Sequence, residues 1–174
     1  MTLAHIRALA EEYATKYNPD KVAPFPYELI LQDRPDLEIH FAALDDPEVS
    51  GLTSYADGKF SIIINTEKPA ARQNFTLGHE LGHYFLHQDI LRAEGGIIDG
   101  DVALDGAKIL YRMDDASSQQ LEVEANNFAA SLLMPADLVR EAWRAIGSIQ
   151  KLARIFQVSA IAMSVRLTHL GLLD

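Results

Sequence analysis

With 174 residues, nearly half of them apolar, the chain can bury a substantial core, which argues against a disordered segment. Its formal net charge of −10 argues against broad, sequence-independent binding to phosphate backbones, because like charges repel. The absence of cysteine excludes disulfides and thiolate metal sites, so any metal must be held by imidazole and carboxylate groups.

Residues 2–17 read as a helix, since Leu3, Ile6, Leu9, Ala10, Tyr13 and Ala14 recur at helical spacing. Asn18-Pro19-Asp20 stops it, and Pro24 and Pro26 mark an irregular stretch. Leu37-Glu38-Ile39-His40-Phe41 alternates as a strand does. Two more strands are expected near residues 51–55 and 59–64. Asp57-Gly58 between them suits the positive φ values of a tight hairpin turn. Residues 60–64 belong either at a sheet edge, open to an extended peptide, or in the sheet interior.

Residues 69–88 read as one helix, with Pro69 in its first turn. Residues 89–116 carry glycines and acids with no clear period, a long loop of the functional kind with a short strand near residues 108–111. A helix over residues 117–134 follows, capped by Ser117 or Ser118. Pro135 starts another through about residue 145, and two shorter helices lie near residues 148–156 and 159–170, with Gly171 just past the last. The expected architecture is one α+β domain over residues 1–174. A helix and a small, mostly antiparallel sheet (1–68) pack on helices and a loop that carry the chemistry (69–134), followed by a helical C-terminal segment (135–174). No apolar run is long enough to cross a bilayer, and residues 1–7 lack the pattern of a secretory signal, so a cytoplasmic location is expected.

The central signal is His79-Glu80-Leu81-Gly82-His83. Two histidines four apart share one helix face, so both imidazoles can reach one zinc ion. Glu80 points about 100° away. It is not a natural third ligand but can stand beside the water that a metal polarises, where a general base is needed. Gly82 costs about 1 kcal/mol against alanine in a helix interior, a cost that close approach of a second helix would compensate.

That second helix carries Glu122 and Glu124. Glu124 shares its face with Gln120, Asn127 and Ser131, which read as a solvent face, whereas Glu122 flanks the apolar row Leu121, Ala125, Phe128 and Leu132. Glu122 is therefore the expected inward carboxylate and third ligand, because a buried charge requires a partner. Asn126, one turn on, either accepts the free N–H of a ligand histidine or bonds nearby backbone.

The run from Phe75 to His83, followed by Leu86-His87 and then by the stretch from Glu122 to Pro135, resembles the ImmA/IrrE family of metallopeptidases, most strongly over residues 72–136. The resemblance implies a gluzincin-like site with His79, His83 and Glu122 as ligands and Glu80 as catalytic base. It also implies a substrate class, helix-turn-helix repressors of the XRE type, and roles in transcription regulation and stress response.

The expected cofactor is one Zn2+ ion, with Mn2+ a second candidate. Candidates for stabilising the developing oxyanion are Tyr84, His87, Tyr111 and Arg112. His87 is equally readable as a helix-end residue bonded to terminal carbonyls. Residues 152–170 also resemble a helix-turn-helix, where Lys151, Arg154, Arg166 and His169 could touch phosphate. The second helix starts Ala160, Ile161, Ala162, Met163, with little to read bases, so packing is preferred and DNA is not an expected partner. Two other readings remain: a metal-containing binding module of the toxin–antitoxin kind with little proteolysis, and a DNA-binding regulator.

Overall fold

The computed structural model of the chain describes residues 1–99 and 116–173. Helix α1 (Leu3–Tyr17) is capped by the Thr2 hydroxyl, which accepts from the His5 N–H, and buries Ile6, Ala10, Ala14 and Tyr17 along one stripe. A short helix, α2 (Glu28–Asp33), follows the two prolines and buries Ile30. The irregular reading of this stretch did not include it, because six residues hold too few repeats to show a period.

Strands β1 (Leu37–Ala42), β2 (Gly51–Ala56) and β3 (Lys59–Asn65) come next, and β4 (Gly96–Asp99) completes a four-stranded sheet of order β1-β3-β2-β4. The β2–β3 and β2–β4 pairs are antiparallel and the β1–β3 pair is parallel. The β2–β3 turn has both central residues at positive φ, Asp57 at 52° and Gly58 at 82°, as a primed hairpin turn requires. Strand β3 is interior, which removes residues 60–64 as an edge for substrate pairing. Among the described residues, the edges are β1 and β4.

Helix α3 (Ala70–Leu86) opens at Pro69 and lies against β2 and β3. The stretch read as loop from residue 89 onward begins instead with helix α4 (Gln88–Glu94) and then β4. The strand expected near residues 108–111 lies outside the described residues. Helix α5 (Ala116–Leu133) starts before Ser117 and Ser118, which places both inside the helix rather than at its cap.

Helices α3 and α5 pack closely against each other. A Cβ added at Gly82 would stand 3.0 Å from both the Cα and the carbonyl oxygen of Ala125. One turn earlier, a Cβ at Gly78 would meet Leu133 Cδ1 at 2.8 Å and Ala129 Cβ at 3.3 Å. Small residues on both helices thus let their backbones approach.

Helices α6 (Ala136–Ile146), α7 (Ile149–Phe156) and α8 (Ala160–His169) close the fold, burying Val139, Leu152, Phe156, Met163 and Leu167. Gly171, just past α8, has φ +67°. Arg166 is 4 % exposed. It donates to the Met134 carbonyl and the Ser131 hydroxyl and pairs with Glu11, so it is withdrawn from any phosphate contact. Among the described residues, no helix is long and apolar enough to cross a membrane.

Candidate metal centre

Helical spacing on α3 brings His79 and His83 side by side, 4 % and 0 % exposed. Their Nε2 atoms lie 3.0 Å apart. Glu122, projecting from α5, sets one carboxylate oxygen 3.2 Å from His79 Nε2 and the other 3.4 Å from His83 Nε2. These donor atoms fit a single small cation. Four-coordinate zinc, with bonds of roughly 2.0–2.1 Å, spaces its ligand atoms about 3.3 Å apart. Among the described residues, this is the group of three that could hold a metal ion.

Burial pushes the His83 imidazole down to about 4, so it is neutral and carries a lone pair for a cation. Burial alone would push the Glu122 carboxyl up. Its hydrogen bonds to His79 and His83 outweigh that effect and hold it well below the usual carboxylate range. Both states are those that metal binding requires.

Glu80, adjacent to His79 in the chain, is fully buried. Its Oε2 accepts a hydrogen bond from the Thr53 hydroxyl on β2 at 2.5 Å. Thr53 is itself buried and was not foreseen as part of the site. The signal available was strand alternation, which leaves open which face of β2 meets α3.

Beyond the cluster, Asn126 Oδ1 lies 3.0 Å from His79 Nδ1. His87 is buried and not merely a helix-end residue. Its Nδ1 lies 2.9 Å from His83 Nδ1, and its Nε2 lies 3.1 Å from Glu124 Oε2. Glu124, expected in solvent, is 7 % exposed. The helical phase was correct, but only Gln120 of that face stays exposed: Ser131 bonds Arg166, half-buried Asn127 accepts from Arg7, and Glu124 meets His87. Periodicity reports polarity, and a polar face buries readily where each group finds a partner.

Tyr84, a candidate oxyanion donor, has its hydroxyl engaged elsewhere. It is fully buried on the sheet side, edge-on to Phe60, and its hydroxyl donates to the Asp36 carboxylate at 3.1 Å. Burial first, and the Asp36 charge second, raise its pKa above the usual tyrosine value. Tyr111 and Arg112 lie outside the described residues.

A helix-borne imidazole pair and a carboxylate from a neighbouring helix thus form a donor set that could hold one metal ion. The chain belongs to the IrrE N-terminal-like domain family of metallopeptidases, whose model matches residues 32–168. It is 24 % identical over 136 residues to the metallopeptidase ImmA of Bacillus subtilis (strain 168), covering 77 % of this chain and 72 % of that protein. The fold also matches a solved Mycobacterium tuberculosis transcriptional regulator, with a TM-score of 0.62 at 15 % identity. That match covers 95 % of this chain but only 46 % of the regulator, so the chain spans less than half of this structural relative.

Proposed function

We propose that the chain is a zinc-dependent endopeptidase, with His79, His83 and Glu122 as ligands and Glu80 as general base. The observation that carries this reading is the His79–His83–Glu122 cluster, on a helix where Glu80, adjacent to His79 in the chain, is buried and accepts from Thr53. A divalent cation held by His79, His83 and Glu122 would supply Lewis-acid chemistry, lowering the pKa of water and polarising a peptide carbonyl.

The protein's own groups account for the rest. Asn126 sets the His79 ring plane, and His87 sets that of His83. The Thr53 hydroxyl donates to one Glu80 oxygen and so orients the carboxylate that takes a proton from the attacking water. The same carboxyl then returns that proton to the leaving amine, so the base is regenerated each turnover.

The proposed substrate is a helix-turn-helix repressor of the XRE type. Support comes from membership of the IrrE-like peptidase family and from likeness to the relative named metallopeptidase ImmA. The test is the Glu80→Gln variant, co-expressed with the helix-turn-helix protein encoded nearest the gene. Parent protein should generate fragments, and the variant should bind equal zinc and generate none. Equal fragment yield from the variant would overturn the mechanism. Partner binding without fragments from either protein would favour a binding module instead.

A further inference from the structure

We propose that the groove between α5 and α8 is the subsite that seats substrate beside the metal centre, taking an apolar side chain on its walls and an acidic side chain at Arg7. The inference rests on the peptidase reading for the occupant being a substrate. The groove's preference among peptides does not.

Both ligand-bearing helices lead into this groove. Phe75 lies one turn before His79 on α3, on the row that continues to His83, and Asn126 lies one turn after Glu122 on α5. Both residues line the groove, and Asn126 Oδ1 is 3.0 Å from His79 Nδ1. One helical turn is about 5.4 Å, less than two residues of extended peptide at about 3.3 Å each. A peptide with its scissile carbonyl at the cluster therefore reaches the groove within about two residues. The groove encloses about 260 Å³, below the roughly 300–1,000 Å³ of small-molecule sites, so it suits side chains of a peptide rather than a whole small ligand.

The lining sets the preference. Phe75, Ala162 and Val165 give apolar walls. On the α8 lip, Ile161 and Val165, four residues apart, are 78 % and 49 % exposed, apolar surface of the kind that marks a contact site. The chain has 25 Asp and Glu against 15 Lys and Arg, yet among the described residues no carboxylate lines this groove and two arginines do. A second cavity of similar size, bounded by α1 and the start of α6, is lined by Glu11 and Asp137. Arg166 is neutralised by Glu11, one turn along α1 from Arg7. Arg7 donates its Nε–H to Asn127 Oδ1 at 2.9 Å, which fixes the guanidinium, and forms no ion pair among the described residues. Its remaining N–H groups suit a carboxylate. A phosphate backbone is a poorer match, because it calls for several cations in a row and no apolar wall.

The probes are labelled peptides carrying one Leu and either one Glu or one Lys, each moved through every position of an otherwise constant sequence. Binding is read by fluorescence anisotropy on the zinc-loaded full chain carrying Glu80→Gln, so that nothing is cut. The net charge of −10 by itself favours the Lys series, so a Glu preference reports the groove. With Arg7 intact, the best Glu peptide should bind about tenfold more tightly than its Lys counterpart. Arg7→Gln should abolish that ratio while Lys-peptide binding stays within a few-fold, a selective change that a packing role for Arg7 does not produce. At the exposed lip, where folding is not at stake, Val165→Glu should lower the ratio and Val165→Lys raise it, each about threefold. Equal affinity for the two series at all positions would overturn the proposal, as would a ratio that none of the three variants moves. A duplex oligonucleotide that displaces the Glu peptide when Arg7 is present, and not from Arg7→Gln, would overturn it by assigning Arg7 to phosphate. Cleavage of Glu and Lys peptides alike by the protein with Glu80 restored would leave the peptidase reading standing and end this one. Glu-selective binding with no cleavage would fail the peptidase reading and uphold the groove's preference.

Discussion

The Thr53 hydroxyl, on the central strand β2, stands 2.5 Å from Glu80 Oε2 on helix α3, so sheet and metal helix meet at the proposed base. Thr53→Val keeps the shape and removes the donor. A buried carboxylate that loses a charged hydrogen bond costs about 1.5–3 kcal/mol. Denaturant unfolding should register that loss, and the peptide-cleavage rate should fall at least about tenfold, with zinc affinity within a few-fold of the parent. Thr53→Ser should recover most of both. A Thr53→Val protein as active as parent would detach Thr53 from the chemistry.

Helix separation at the site is set by Gly82 against Ala125, and Ala125 lies one turn beyond Glu122 on α5. Gly82→Ala gains about 1 kcal/mol of helix propensity. It also forces two backbones apart, an overpacking cost of about 1–3 kcal/mol. Moving α5 moves Glu122, so affinity for zinc, by chelator competition, should drop about tenfold or more. Gly78→Ala meets mainly the end of the Leu133 side chain, which can rotate away, and should lose much less. Equal effects at both positions would show that backbone contact is not what matters.

Much of this geometry was legible, and the failures have physical causes. The i, i+4 pair His79 and His83 and the inward phase of Glu122 follow from 3.6-residue periodicity, and the structure brings the three together. Gly82 announced a close helix neighbour because only contact justifies a glycine there. Glu124 was misread because a pattern of polar residues is the same whether water or His87 satisfies it. Thr53 was invisible because its partner lies 27 positions away, across a sheet–helix contact that no local pattern encodes. Helices α2 and α4, six and seven residues long, are too short to establish a period.

Acid should destabilise the metal-free protein in a defined window. His83 titrates at about 4 when folded and at the ordinary 6.5 when unfolded, so between those values the unfolded chain binds more protons. Stability therefore rises with pH across that window and is lost as pH falls from 6.5 toward 4. Glu122, depressed by its imidazole partners, adds loss of the same sign below the ordinary carboxyl value of 4.5. A shift of this size for a fully buried imidazole corresponds to roughly 3 kcal/mol. Urea unfolding of the chelated protein at pH 7 and pH 5 checks this, and equal midpoints would contradict it.

The C-terminal helices should prove to be held by one ion pair, not poised for DNA. Arg166 is buried and pairs with Glu11, whose two oxygens also accept from the Ala136 N–H at 3.0 Å at the start of α6. Removing one partner of a buried pair costs about 3–5 kcal/mol, because the other charge is stranded. Glu11 is 31 % exposed, so Glu11→Leu should cost less, about 2 kcal/mol. Arg166→Met strands only the partly solvated Glu11, which water can reach. It should cost less than Glu11→Leu, and the double variant should cost less than the two single losses added. Urea unfolding of the three variants measures this coupling. Strict additivity would mean that α1 and α8 are joined by packing alone, with the Glu11–Arg166 contact energetically silent.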